Sequence, residues 1–299
     1  MRRIVTGIDH AHRSERVLER TFNEAETTDR PVLVVHGWSP PVWAGGPFGM
    51  GYASLPTSAE SARWAQDTAD ELLAKALRQR TSTIPLRTST LAPQGEAGRL
   101  LVEAGQDAGL VVVGGPNHGA AVGTMLGSTA GYVVHHAQGP VMVVPQSAAP
   151  GPFHRVVVGY DNAAGSAAAL AWGLDAARRH GCPLVVLHAF QLTSDAPALP
   201  PGTLMGDYDY ATATRTWLDG ELTSTRAAAG VVEMRSEVVT GSATGALLDN
   251  TGPDDLLVVG SRGRGGFTGL LLGSVSTQCA THERGALVVV RPGEHRLDG

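Results

Sequence analysis

The sequence predicts an α/β protein of two tandem domains, each an open parallel sheet of five strands with helices on both faces. Three observations carry this prediction. Short continuous apolar runs, rich in Val and bounded by Gly, Pro or Asp, read as strands buried on both faces. Longer stretches between them place apolar residues at helical spacing. The whole series then occurs twice in the same order, which marks a repeat. Alternating strands and helices with right-handed crossovers give the open sheet.

Taken along the chain, Arg3-Ile-Val-Thr-Gly-Ile-Asp9 opens the first copy as a strand, and Pro31-Val-Leu-Val-Val-His36 is the second. Gly37 to Thr57 interrupts the pattern with Pro40, Pro41, Pro47 and Pro56 and the aromatics Trp38, Trp43, Phe48 and Tyr52. Ser58 to Arg80 predicts a helix: Ala65, Ala69, Leu72, Leu73, Ala76 and Leu77 share one face, with Glu60, Arg63, Asp67, Asp70 and Lys75 elsewhere. Glu96 to Gln106 predicts another helix, Leu110-Val-Val-Val-Gly114 the fourth strand and Gly139-Pro-Val-Met-Val-Val-Pro145 the fifth.

The second copy repeats these marks. Arg155-Val-Val-Val-Gly-Tyr-Asp161 matches the first strand, and Pro183-Leu-Val-Val-Leu-His188 the second. Leu256-Leu-Val-Val-Gly260 matches the fourth strand, Leu271-Leu-Gly-Ser274 matches Met125-Leu-Gly-Ser128, and Gly285 to Pro292 matches the fifth strand. Helices are expected at Gly165 to His180, Asp209 to Ala229 and Gly241 to Asn250. Gln191 to Gly206, with Pro197, Pro200 and Pro201, is the counterpart of the long interruption; such loops read as self-packed surface or as a lid or partner face. Gln146 to Phe153 joins the copies, so the domains are expected at 1–147 and 153–293.

Composition narrows the function. The 299 residues are 42% hydrophobic and 17% charged, which is ordinary globular usage able to bury two cores. A net charge of −5 argues against a nucleic-acid or acidic-membrane binder. No apolar run is long enough to span a membrane, and the start reads as a mature N-terminus leading into a strand. Lys75 is the sole lysine and sits in a polar helical stretch, so a lysine-bearing glycine loop is excluded. Cys182 and Cys279 lie among apolar residues and read as core thiols in a reducing cytoplasm.

Chemistry concentrates after the fourth strand. Gly260-Ser-Arg-Gly263 is followed, nine residues on, by Gly273-Ser274. Glycines at both ends of a strand-to-helix loop let main-chain N–H groups approach a phosphate without a Cβ in the way. The opening of the next helix adds free N–H groups and a positive dipole end. Neither the lysine-containing phosphate loop, nor a dinucleotide fingerprint after a first strand, nor a Gly-x-Ser-x-Gly nucleophile turn occurs. A purely structural turn stays open on these residues alone.

Gly-x2-Gly-x9-Gly-Ser after a Val-rich strand, with an Asp ending strand one, resembles the ATP-binding branch of the universal stress protein family, in its two-domain tandem form. That resemblance implies two doubly wound five-stranded parallel sheets with strand order 3-2-1-4-5. Strands one and four are then neighbours whose connections diverge, and ligands bind at such switch points. In the second copy it implies that Asp161 meets ribose or adenine, with Gly159 allowing close approach. Ala189 would offer its main chain to adenine and Val259 would line the base pocket. Gly260, Gly263, Gly273, Ser274 and Val275 would hold phosphates, with Arg262 and Arg264 as further contacts.

The first copy departs from the motif: Asn117 stands in place of the second glycine, Pro116 removes an N–H donor, and Thr129 replaces the valine. Asn tolerates positive φ best among non-glycine residues, so the loop shape can persist. Gly7, Asp9, Gly37, Val113, Gly114, Asn117, Gly127, Ser128 and Thr129 are therefore expected to form a second, weaker or differently selective site. The ligand is expected to be ATP, with Mg²⁺ carried on its phosphates.

Other features read more plainly. Asp9-His10-Ala-His12 as loop residues and His135-His136 at a helix end need no metal, and none is expected. His36 and His188 recur at the end of strand two as packing and hydrogen-bonding residues. The apolar fifth strand around Met142 is an edge that pairs the two copies or two chains. The leading function is an ATP-binding stress-response regulator without catalysis, cytoplasmic and homodimeric, acting on a regulatory protein partner. A slow ATPase, a nucleotidyl or phosphoryl transferase, and a flavin domain are the alternatives.

Overall fold

The computed structural model describes residues 2–9, 14–39, 57–116, 126–191, 210–263 and 272–293. In the first copy the elements are β1 (Ile4–Gly7), α1 (Ser14–Thr28), β2 (Val32–Val35), α2 (Ser58–Gln79), β3 (Thr88–Leu91), α3 (Ala97–Ala104), β4 (Leu110–Gly114), α4 (Ser128–His136) and β5 (Val141–Val144). In the second they are β6 (Val156–Gly159), α5 (Ala164–His180), β7 (Leu184–Phe190), α6 (Tyr210–Glu221), α7 (Thr223–Ala229), β8 (Met234–Thr240), α8 (Ala243–Asp249), β9 (Leu256–Gly260), α9 (Ser274–His282) and β10 (Ala286–Val290).

The expected fold class is present. Strand order is β3-β2-β1-β4-β5 in the first copy and β8-β7-β6-β9-β10 in the second, the order 3-2-1-4-5 in each. The Val-rich runs form the middle strands, paired in parallel: Val5 lies opposite Leu33 and Val111, and Val157 opposite Val185 and Leu257. Continuous apolar sequence is what a strand needs when helices cover both faces, and β2, β9 and β10 are buried along nearly their whole lengths. β3 and β8 are the exceptions. They sit at the sheet edges and bury no residue fully, so their polar sequences, Thr-Ser-Thr-Leu and Met-Arg-Ser-Glu-Val-Val-Thr, carry no continuous apolar run to read.

Helix ends follow local chemistry. Thr57 and Glu60 form a reciprocal cap on α2: Glu60 N–H donates to Thr57 Oγ1 at 3.2 Å and Thr57 N–H to Glu60 Oε2 at 2.7 Å. α5 stops at Gly181, whose φ of 62° is left-handed. The single helix expected at Asp209 to Ala229 is instead two, α6 and α7. Leu222 (φ −86°, ψ 0°) leaves the helical region between them, and its side chain is fully buried. Packing of that leucine overrides the continuous helical period.

By proximity the described chain forms two compact units, 1–114 with 128–139, and 115–127 with 140–299. Within the second unit β5 runs antiparallel to β10, with Val143 opposite Leu287 and Met142 opposite Val288. The apolar fifth strand of the first copy therefore finds a pairing partner in its own chain. The joining segment is also held: Ala149 N–H donates to Pro253 O at 2.7 Å and His154 N–H to Asp254 O at 2.8 Å.

Candidate functional site

The crevice of the second copy is built where β6 and β9 end side by side. β6 stops at Gly159, and the chain turns through Tyr160, Asp161 and Asn162 (φ 61°) into α5. Ser166, buried in the first turn of α5, fixes this corner. Its Oγ accepts the N–H of Asp161 at 3.2 Å and of Ala163 at 3.1 Å and donates to Ala163 O at 3.0 Å. Asp161 Oδ1 accepts the Ala163 N–H at 3.1 Å, which orients the carboxylate.

The loop after β9 returns to the same corner. A Cβ on Gly260 would stand 2.6 Å from Gly165 O and 2.8 Å from Ser166 N. A Cβ on Gly263 would collide with Asp161 Oδ2, so the missing side chain of Gly263 is what leaves room for that carboxylate. Gly273 N–H donates to Ser261 O at 2.7 Å, which folds the start of α9 back onto the end of β9. Ser276 Oγ donates to Gly260 O at 2.6 Å and ties the same helix a second time. Asp161, Gly260, Gly263 and Gly273 are thus brought together, with Ser274 exposed and Val275 half-buried in the first turn of α9.

β7 outruns β6 and supplies the third wall. In a parallel sheet, successive residues turn their N–H and C=O to opposite neighbours. Leu187 O accepts Tyr160 N–H at 2.9 Å, and Phe190 O accepts Gly241 N–H, so Leu187 faces β6 and Phe190 faces β8. Ala189 therefore turns its main-chain donor and acceptor to the β6 side, past the last residue of β6. Val259 is buried beside Gly159, whose close neighbour is Leu247 of α8. His188 Nδ1 lies 2.7 Å from Tyr160 O, and its ring makes a T-shaped contact with Trp217, the ring centroids 4.9 Å apart. Burial, and then Glu221 and Asp161, push the Tyr160 phenol above its usual range.

The first unit repeats the corner with different details. Asp9 N–H donates to Ser14 Oγ at 3.0 Å, and that hydroxyl also lies 3.1 Å from Asp9 Oδ1. His36 Nδ1 approaches Ile8 O at 3.2 Å, as His188 approaches Tyr160. Ile8 N–H donates to Val35 O and His36 N–H to Leu91 O, so Gly37 turns its main chain to the β1 side as Ala189 does to β6. Gly37 packs against Ala97, and Gly7 against Leu101. Val113 is buried, Gly114 ends β4 exposed, and Gly127, Ser128 and Thr129 lead into α4 with Ser128 exposed. Asn117 and Arg264 lie outside the described residues, as do His10, His12 and most of both long loops.

Sequence reasoning passed over Ser14, Ser166 and Ser276. The first two were legible, because Asp-x4-Ser occurs after strand one in both copies. Ser276 was not, because its counterpart in the first copy is Ala130. At the end of α4, His135 and His136 pair through Nδ1 with Gly131 O and Tyr132 O at 2.7 and 2.8 Å. Among the described residues no three His, Cys, Asp or Glu gather as a metal would require, and no helix is long and apolar enough to cross a membrane. Cys182 and Cys279 are buried free thiols, and burial with nearby Glu283 pushes Cys279 up to about 12.

Comparison with known proteins agrees with the repeat. The model of the universal stress protein family matches residues 1–145 and again 152–291. A universal stress protein of Mycolicibacterium smegmatis is 32% identical over 293 residues, covering 97% of each chain. One from Mycobacterium tuberculosis H37Rv is 29% identical over 300 residues, covering 96% of each. The crystal structure of a universal stress protein from Archaeoglobus fulgidus DSM 4304 shares the fold, with a TM-score of 0.66 at 18% identity, covering 97% of this chain and 98% of that one. The twofold series of strands and helices is thus a twofold domain, and the chain belongs to the universal stress protein family.

Proposed function

We propose that this protein is an ATP-binding regulator of a stress response, with one nucleotide site per copy and the second copy closer to the family motif. The observation that carries the reading is the corner where Gly263 leaves room for the Asp161 carboxylate. It sets a ribose-directed acceptor beside a glycine loop and the opening of α9. Main-chain N–H groups and the helix dipole there favour phosphate, and the Ala189 main chain faces the place an adenine edge would take. Gly260, Gly263, Gly273 and Ser274 hold the phosphates, and Mg²⁺ rides on the phosphate oxygens.

Occupancy, rather than turnover, is the signal. It acts by favouring one conformation over another, and so changes the affinity for a regulatory protein partner in the cytoplasm. Because β5 and β10 pair within the chain, a homodimer must use another face. Titration calorimetry of the full chain with ATP and Mg²⁺, with mass spectrometry of heat-released ligand, tests the reading. Bound adenine nucleotide, weakened by Asp161→Ala, is expected. A protein that neither co-purifies with a nucleotide nor binds ATP at millimolar concentration would overturn it.

A further inference from the structure

β9 and β10 end in register, with Gly260 opposite Val290, and the Ser261 N–H donates to Val290 O at 2.7 Å. The residue that follows on each side of this bond is an arginine: exposed Arg262 in the loop and half-buried Arg291 after β10. Arg262 is fixed in place by its main chain. Its carbonyl abuts Gly165, and its Cα lies 3.5 Å from where a Cβ on Gly273 would stand. The main chains of two arginines are therefore held side by side where the glycine loop leaves β9. Burial first, and then the charge of Arg262, hold the Arg291 guanidinium below its usual range.

The first copy makes the same main-chain bond, Gly115 N–H to Val144 O at 2.8 Å. The residues that follow there are Pro116 and Pro145. The fold thus reproduces the bond without either charge. Main-chain amides grip a phosphate as neutral donors, whereas guanidinium groups gain with each added negative charge and match phosphate oxygens in pairs.

We propose that Arg262 and Arg291 read the length of the phosphate tail, so that the second copy selects nucleoside triphosphates over monophosphates while the first copy does not. The inference rests on the nucleotide reading given above and adds the selectivity of that site. The full chain is photolabelled with 8-azido-ATP and with 8-azido-AMP, with ATP or AMP as competitor. Peptide mapping then reads each copy separately.

In R262Q/R291Q the ATP-over-AMP preference of the second copy is expected to fall about tenfold or more, with AMP affinity changed by less than about threefold. The charge-keeping pair R262K/R291K should restore a large part of the preference, and R262Q alone, at an exposed position, should show the effect without any loss of folding. Equal weakening of ATP and AMP, an unchanged preference, or an equal preference in the first copy overturns the inference while leaving nucleotide binding intact. A wild-type chain labelled by neither probe overturns both.

Discussion

The Nδ1 of His188 stands 2.7 Å from the carbonyl oxygen of Tyr160, the residue immediately before Asp161. A carbonyl only accepts, so the imidazole donates there, and the ring ties the end of β7 to the turn that carries the carboxylate. His188→Ala leaves that buried carbonyl without its partner. The variant is expected to lose about 1–3 kcal/mol of stability, seen as a lower Tm, and to weaken ATP binding in the second copy in calorimetry. His36→Ala should act likewise on the Ile8 carbonyl in the first unit.

Glycine substitutions separate shape from simple tolerance. Gly263→Ala drives a methyl into Asp161 Oδ2, while Gly127→Ala meets nothing within 4 Å. Gly263 is exposed, so its variant should fold normally yet lose about tenfold or more in ATP affinity at the second copy, as one misplaced charged contact is worth ~1.5–3 kcal/mol. Gly127→Ala should stay within about 0.5 kcal/mol of the parent in stability. Thermal melts and titration of the two variants side by side check this contrast.

The two aspartates stand in matching corners that face different loops, and the difference should be measurable. Asp161 N–H donates to Ser166 Oγ at 3.2 Å and Asp9 N–H to Ser14 Oγ at 3.0 Å. Asn117 in place of the loop glycine favours the second copy for nucleotide. Asp161→Ala is expected to remove more binding than Asp9→Ala. Equal losses of affinity and stoichiometry in both would remove the asymmetry.

Ser166 and Ser276 are expected to act as positioning residues. Ser166→Ala removes the acceptor for two N–H groups at the start of α5, at a cost of about 0.5–2 kcal/mol. Ser276→Ala frees α9 from Gly260 O and should weaken nucleotide binding more than it lowers Tm. Denaturant unfolding beside titration reads the two effects separately.

Cys279 is buried, and its thiol is pushed from 9.0 up to about 12. The folded protein holds that proton more tightly than the unfolded chain does. Stability is therefore unaffected below the unfolded value near 9 and falls as the pH rises from there toward 12, by up to ~1.4 kcal/mol per pH unit for one group. Cys279→Ala should flatten that alkaline slope in denaturant titrations. In the native protein at pH 8 a thiol reagent should leave both cysteines unmodified and label them only after unfolding.

Sequence by itself determined the repeat, the α/β class, the buried middle strands and the helices whose apolar faces recur at helical spacing. Those features are local or periodic, and local chemistry writes them directly: a strand covered on both faces must be apolar throughout, as Leu256 to Val259 is, and a reciprocal cap such as Thr57 with Glu60 needs only neighbouring residues. The glycine spacing after β9 was legible for the same reason. Only the tertiary structure decided that Leu222 breaks a helix, that the polar edge strands β3 and β8 complete the sheets, and that β5 pairs with β10. It also decided that Gly263 faces Asp161 and that Arg262 stands beside Arg291. Each of these depends on which distant residues the chain brings together. A pairing across a sheet or a missing Cβ beside a carboxylate leaves no periodic trace in the residues that make it.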